Sequence, residues 1–157
     1  MSMPMPQANA PVAAALGALL ADSFRLYVTT HGFHWNVQGP RFPALHALFE
    51  EQYRALWAAL DEIAERVRSL GHPAPGSVGA FAAAGSLPDH NGPLPAEAML
   101  RAALAGHEAL AAQCRAALAL PEMAGDPGSA DLFTQRLAAH EKTAWMLRAT
   151  LAADPSA

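Results

Sequence analysis

The chain has 157 residues, 52% of them hydrophobic and 7% aromatic, with a formal charge of −4. That length suits one domain with one sizeable core. One lysine, Lys142, stands beside nine arginines, and no basic run gathers the charge needed to displace counterions from phosphates. A single cysteine, Cys114, excludes an intrachain disulfide; in "LAAQCRAAL" it reads as a packed side chain, in keeping with a reducing compartment.

In chain order, residues 1–11, "MSMPMPQANAP", read as a flexible arm. The apolar stretch "APVAAALGALLA" is too short to span a bilayer before Asp22, and no positive segment precedes it. Neither a membrane span nor a signal peptide is expected, and the expected location is the cytoplasm. A helical pattern runs from about Val12 to Val37, with Leu16, Leu19, Leu20, Phe24, Tyr27 and Val28 at helical spacing. "QGPRFP" breaks it. Pro43 opens a second helix carrying Leu45, Leu48, Phe49, Leu56, Leu60, Ile63, Val67 and Leu70, and Gly71 stands just past its end. "SVGAFAAAGS" predicts a short helix and "LPDHNGPLP" a loop. A third long helix opens at Pro95 and runs to about Leu120. "PEMAGDPGSAD" is a loop in which Asp126 or Ser129 caps the fourth helix, which reaches about Leu151 before Asp154-Pro155 closes it. Four long helices with an extended middle connection predict an all-α, ferritin-like four-helix bundle. A short extra helix lies in the crossover between helices two and three, and the whole is a single domain.

Metal-capable side chains gather in one stretch: His31, His34, His46, Glu50, Glu51, Asp61, Glu62 and Glu65. A di-iron bundle of the usual kind sets Glu-x-x-His motifs on helices facing its own core. No glutamate here is followed three residues later by histidine, which argues against such a site. His34, His46, Asp61 and Glu65 remain. Asp61 and Glu65 are four apart and share a helix face, and carboxylates joined by imidazole suit iron or zinc. His46 precedes Asp61 by fifteen residues, about 22 Å of helical rise, so one ion cannot touch both within a chain. The angular offset is only about 60°, so both point to the same side. In a two-fold dimer with the second helices antiparallel, His46 of one subunit lies opposite Asp61 of the other, with the axis near Tyr53 and Arg54. His34, at the end of the first helix, can join His46. Glu50, one turn after His46, is placed to hold a second ion directly or through water. The plainer alternative is a solvated acidic face near Arg66 and Arg68, with His34 merely packed beside Trp35. Spacing alone leaves both readings open.

The segments "HWNVQGPRFPALH", "DEIAER", "LGHPAPGS" and "AGDPGSADLFTQRLAAHEKTAWMLR" resemble the Dps family of mini-ferritins, over about residues 16–151. The resemblance implies a hollow shell of twelve subunits. Its ferroxidase sites lie at two-fold interfaces, with His34 and His46 from one subunit and Asp61 and Glu65 from the next. Each site takes two iron ions. Fe(II) is oxidised there, hydrogen peroxide being preferred to dioxygen, and ferric mineral is stored inside. Asp126 and Asp131 match acidic residues that line three-fold pores in the family, although Asp126 reads equally as a helix cap. Glu50 and Glu51 could face the cavity. Glu50 stands where aspartate is frequent. Trp35 reads as an anchor of the dimer contact. The family's lysine-rich arm is missing, so direct DNA binding is not expected, and a nucleoid-coating protein is the rival reading. A structural assembly with a degenerate metal site is a third. Of the other histidines, His31 faces a neighbour or supports a ligand, His140 is packed, His107 lacks a carboxylate set, and His72 and His90 lie in loops.

Overall fold

The structure, a computed structural model, describes residues 8–153. Proline marks the start of three helices, standing in the first turn where its missing N–H is not needed: Pro11 in α1 (Ala10–Asn36), Pro43 in α2 (Phe42–Ser69) and Pro127 in α5 (Pro127–Leu151). Between them come α3 (Val78–Ala84), α4 (Ala96–Leu118) and a 3-10 turn at Pro121–Gly125. Ser77 caps α3, its hydroxyl accepting from the Ala80 N–H at 3.1 Å. Gly71 ends α2 in the left-handed region, φ 88°, where a side chain would be strained.

The expected arm of residues 1–11 is shorter than read. Pro11 belongs to the first turn of α1, and Asn9 is tied down: its side-chain amide donates to the Leu70 carbonyl and accepts from His72 Nε2, at 3.0 and 2.9 Å. Residues 1–7 of that arm, and the Asp154-Pro155 stop, lie outside the described residues.

The contacts fix the topology. His34 meets His46 and Asn9 meets His72, so α1 and α2 are antiparallel. Arg115 pairs with Glu141 and Arg148 with Glu108, so α4 and α5 are antiparallel too. Asp22 meets Gln113, and Phe33 shares a cluster with Met99, so α4 also runs against α1. The long connection with α3 therefore joins two parallel helices, α2 and α4, which is the ferritin-like crossover expected. Leu16, Leu19, Leu56, Ile63, Leu110 and Phe133 fill one part of the core, and Phe33, Phe49, Met99, Leu100 and Leu147 the other. Gly106 brings α4 close to α1: a Cβ there would fall 2.6 Å from a Leu26 methyl. α1 is long and apolar enough to cross a membrane by length and composition alone, but half of its most apolar stretch is buried in the bundle.

Asp22 fastens the crossover to α1. It is 1% exposed, and its carboxylate accepts from the Ser86 and Leu87 N–H groups (2.6 and 2.9 Å), the Ser86 hydroxyl (2.7 Å) and the Gln113 amide. Burial alone would raise its pKa; the bonds from Leu87, Ser86 and Gln113 outweigh burial and hold it below the usual carboxylate range. Next to it, Arg25 donates to the Leu87 carbonyl at 2.7 Å. Gly85 leaves room for that arginine, since a Cβ there would sit 2.2 Å from its Cδ.

A second polar contact lies in the core. His107 on α4 and His140 on α5 are 3% and 1% exposed, and their Nδ1 atoms are 2.9 Å apart. One ring must donate and the other accept, so at least one ring is neutral. Both Nε2 atoms are buried without a partner. Burial first, then the charge of Arg136, pushes His107 down to about 4; burial, His107 and Arg136 push His140 down to about 2.

Two outcomes are expected. Asp22→Ala strands two backbone N–H groups and costs about 3 kcal/mol in urea unfolding at pH 7. That contribution is present above the unfolded carboxyl pKa of about 4 and fades as pH falls through the depressed folded value, so mutant and wild type converge in acid. For the histidine pair the folded pKa values lie below the unfolded value, so the unfolded chain takes up protons first. Stability is complete about a unit above pH 6.5 and falls as pH drops through that value, by about 3 kcal/mol at pH 5.5. The double variant His107→Leu/His140→Leu flattens that slope in urea titrations.

Candidate metal centre

The end of α1 and the start of α2 meet across a short turn, and two histidines close it. The His34 and His46 rings stack, with centroids 3.7 Å apart and planes 16° from parallel. His34 Nδ1 donates to the His46 carbonyl at 2.8 Å, and His46 Nδ1 donates to the His34 carbonyl at 2.7 Å. A carbonyl can only accept, so both Nδ1 atoms carry the proton. In the neutral rings each Nε2 is left with its lone pair, the tautomer a metal ligand needs. The reciprocal bonds also orient both rings against the backbone. His34 is buried and His46 half-buried, with the Phe42 ring 4.9 Å from His46 and the Tyr53 ring edge-on to His34 at 5.2 Å.

Glu50 follows one turn after His46 and is gripped by Arg54, whose Nε and Nη2 both donate to Oε1, at 2.9 and 2.8 Å. The hydrogen bond from Arg54 chiefly holds this carboxyl below the usual range. Glu51 is exposed.

Asp61 and Glu65 sit further along the same uninterrupted helix, both exposed. Among the described residues, neither carboxylate has an ion pair or a side-chain hydrogen bond, and no group of three or more His, Cys, Asp or Glu could hold a metal. His34 and His46 are thus brought together, with Glu50 one turn further along α2. Asp61 and Glu65 stay about 22 Å or more from His46 along the helix.

The acidic residues at the start of α5 differ from each other. Asp126 caps the helix, accepting from the Ser129 N–H at 3.0 Å, and pairs with Arg66 Nη2 at 2.6 Å. Arg66 Nε also donates to the Ser129 hydroxyl at 3.0 Å. Gly128 permits this, since a Cβ there would lie 2.8 Å from the guanidinium. Burial opposes the charge on Asp126, but the Ser129 and Arg66 bonds win and its carboxyl lies below the usual range. Asp131 is exposed and accepts only from Gln135, at 2.6 Å.

An aromatic cluster beside the histidines was not read from the sequence. His31 stacks on Tyr53 (3.8 Å, 11°) and lies 4.1 Å from the Trp35 ring, while its Nδ1 is 3.1 Å from the Tyr27 hydroxyl. Tyr27 in turn lies 5.2 Å from Trp57. The i, i+4 spacing of Tyr27, His31 and Trp35 on α1 is the signal that carried it. Burial, then His34 and Arg54, holds His31 below the usual imidazole pKa. Trp35 and Trp57 remain 66% and 60% exposed.

Comparison with known proteins agrees with this architecture. The Ferritin family profile, described as a ferritin-like domain, matches residues 13–156. A low temperature-induced protein of Nostoc sp. is 40% identical over 141 residues, covering 87% of this chain and 77% of that protein. The DNA protection during starvation protein of Brevibacillus brevis is 34% identical, covering 89% of this chain and 94% of its own length. The crystal structure of the Dps protein from Vibrio cholerae, described as one of the ferritin-like diiron-carboxylate proteins, superposes with a TM-score of 0.90 at 32% identity, over 96% of this chain and all of that one. The chain belongs to the Dps family of ferritin-like proteins.

Proposed function

We propose that this chain oxidises Fe(II) at sites shared between two-fold-related subunits and stores the ferric product inside a hollow homo-oligomer, a dodecamer, as a cytoplasmic defence against oxidative damage. One observation carries the reading. A single chain presents two imidazoles fixed in the metal-binding tautomer, and the unpaired carboxylates that would complete their site lie far along the same helix. An antiparallel partner helix closes that gap twice, once at each end of the contact.

In this arrangement His34 and His46 of one subunit and Asp61 and Glu65 of its partner bind Fe(II). Glu50 serves a second Fe(II). The imidazoles suit ferrous iron, and the carboxylates neutralise the charge gained on oxidation. With hydrogen peroxide as oxidant, two Fe(II) each give one electron and one peroxide takes both. Its O–O bond breaks to two oxygens at the oxidation level of water, and hydrolysis of the ferric ions to oxyhydroxide releases protons. Paired electron transfer removes both reagents without a one-electron encounter, so hydroxyl radical is not formed. Trp35 and Trp57 fit the contact between subunits. Asp131 is the residue at the start of α5 with charge left to guide Fe(II), because Asp126 is paired with Arg66.

Protection of DNA, named in a relative's description, then needs no contact with DNA. The first 24 residues hold no basic residue, and no gel shift is expected near neutral pH at moderate salt. The direct test is anaerobic loading with Fe(II), then peroxide, with the ferric product followed by absorbance. Wild type is expected to oxidise iron well above the buffer rate, and His46→Ala to lose at least about tenfold. Oxidation no faster than buffer, or a His46→Ala variant equal to wild type, contradicts the reading.

A further inference from the structure

Within the site just proposed, and resting on that reading, Glu50 already carries a cation that belongs to the protein. We propose that Arg54 sets the affinity of the second metal position by occupying Glu50 until a divalent ion displaces it.

The grip is forked. Arg54 Nε and Nη2 both donate to Oε1 of Glu50, at 2.9 and 2.8 Å, which fills the accepting capacity of that oxygen. The guanidinium also lies over Tyr53, with its central carbon 5.7 Å from the ring centroid. Tyr53 is itself held in the stack with His31. Arg54 is largely exposed, but its guanidinium rests near an aromatic ring. An arginine does not lose its charge at any ordinary pH, so the positive centre beside Glu50 is permanent.

The two metal positions then differ for a physical reason. The first relies on His34 and His46, whose Nδ1 atoms are committed to backbone carbonyls and whose Nε2 atoms have no hydrogen-bond partner among the described residues. The second relies on Glu50, which already has a cation. A second divalent ion must strip Arg54 from Oε1 or share the carboxylate with it, and it meets like charge in either case. Filling is ordered: imidazole position first, glutamate position later. Exposed i, i+4 ion pairs add little to stability, so removing this one alters ion binding while leaving the fold in place.

Co2+ is the probe, since it takes the same ligands without redox turnover and its visible absorption reports coordination. Calorimetric and absorption titrations are made on the assembled protein, with oligomer size checked for each variant. Wild type is expected to take one tight Co2+ per subunit and a second at least about tenfold weaker. Arg54→Gln tightens the second ion about tenfold and leaves the first unchanged. Glu50→Gln binds no second ion, with Arg54 present or replaced. Glu50→Asp shortens the acid by one methylene, loosens the fork and moves the second ion in the same direction as Arg54→Gln, which covers the case in which loss of Arg54 disturbs assembly. A second-ion affinity unchanged in Arg54→Gln, or in Glu50→Asp if only that variant assembles, overturns the proposal while a first ion lost in His46→Ala still upholds the site. No tight Co2+ in any form, or a first ion indifferent to His46→Ala, overturns both.

Discussion

The straightness of α2 constrains everything else. From Phe42 to Ser69 it runs as one helix, without a break that could fold its ends together. His46 near one end and Asp61 and Glu65 near the other are therefore held about 22 Å or more apart. No rotamer closes such a distance. The bundle builds two half-sites on one rod, and the function proposed for it is a property of paired subunits.

The rest of the fold keeps that rod and its imidazole end in place. The reciprocal bonds between His34 and His46 tie the last turn of α1 to the first turns of α2, and they fix the tautomer as a consequence of fixing the geometry. Asp22 fastens the crossover along α1, so that α4 starts beside the end of α1 and can run parallel to α2. Arg66, next in sequence to Glu65, reaches across to Asp126 and Ser129 and ties the carboxylate end of α2 to the first turn of α5. Asp22 and Asp126 are each matched by more than one donor, as a charge removed from water requires. The pair His107 and His140 is less well satisfied: its two unpartnered Nε2 atoms give the core an acid-sensitive point away from the candidate metal centre.

Much of the fold was legible because local chemistry decides it. Pro43, Gly71 and Asp126 marked helix ends correctly, since each acts through its own backbone angles or its own side chain. The start of α1 was read two residues late because Pro11 looks like a breaker, yet at the first turn it is an opener. The short 3-10 turn at Pro121–Gly125 was read as loop. At the candidate site, the separation of His46 from Asp61 followed from helical rise alone. The stacking of His34 on His46 did not, because it depends on the turn between two helices. The pairing of Arg66 with Asp126, sixty residues apart, and of His107 with His140, on different helices, left no periodic trace for a sequence to show. Packing determines those contacts, and no spacing rule reaches them.

Sharing of the site between subunits is tested most directly by mixing two dead variants. His46→Ala and Asp61→Ala chains, each inactive alone, are unfolded together and reassembled in equal amounts. A mixed pair has one site with both lesions and one with neither. Random pairing then restores about a quarter of the wild-type sites, read as Fe(II) oxidation by peroxide. Recovery near that level is the result this account predicts. No recovery from fully assembled mixtures would contradict it, because ligands confined to one chain cannot complement one another.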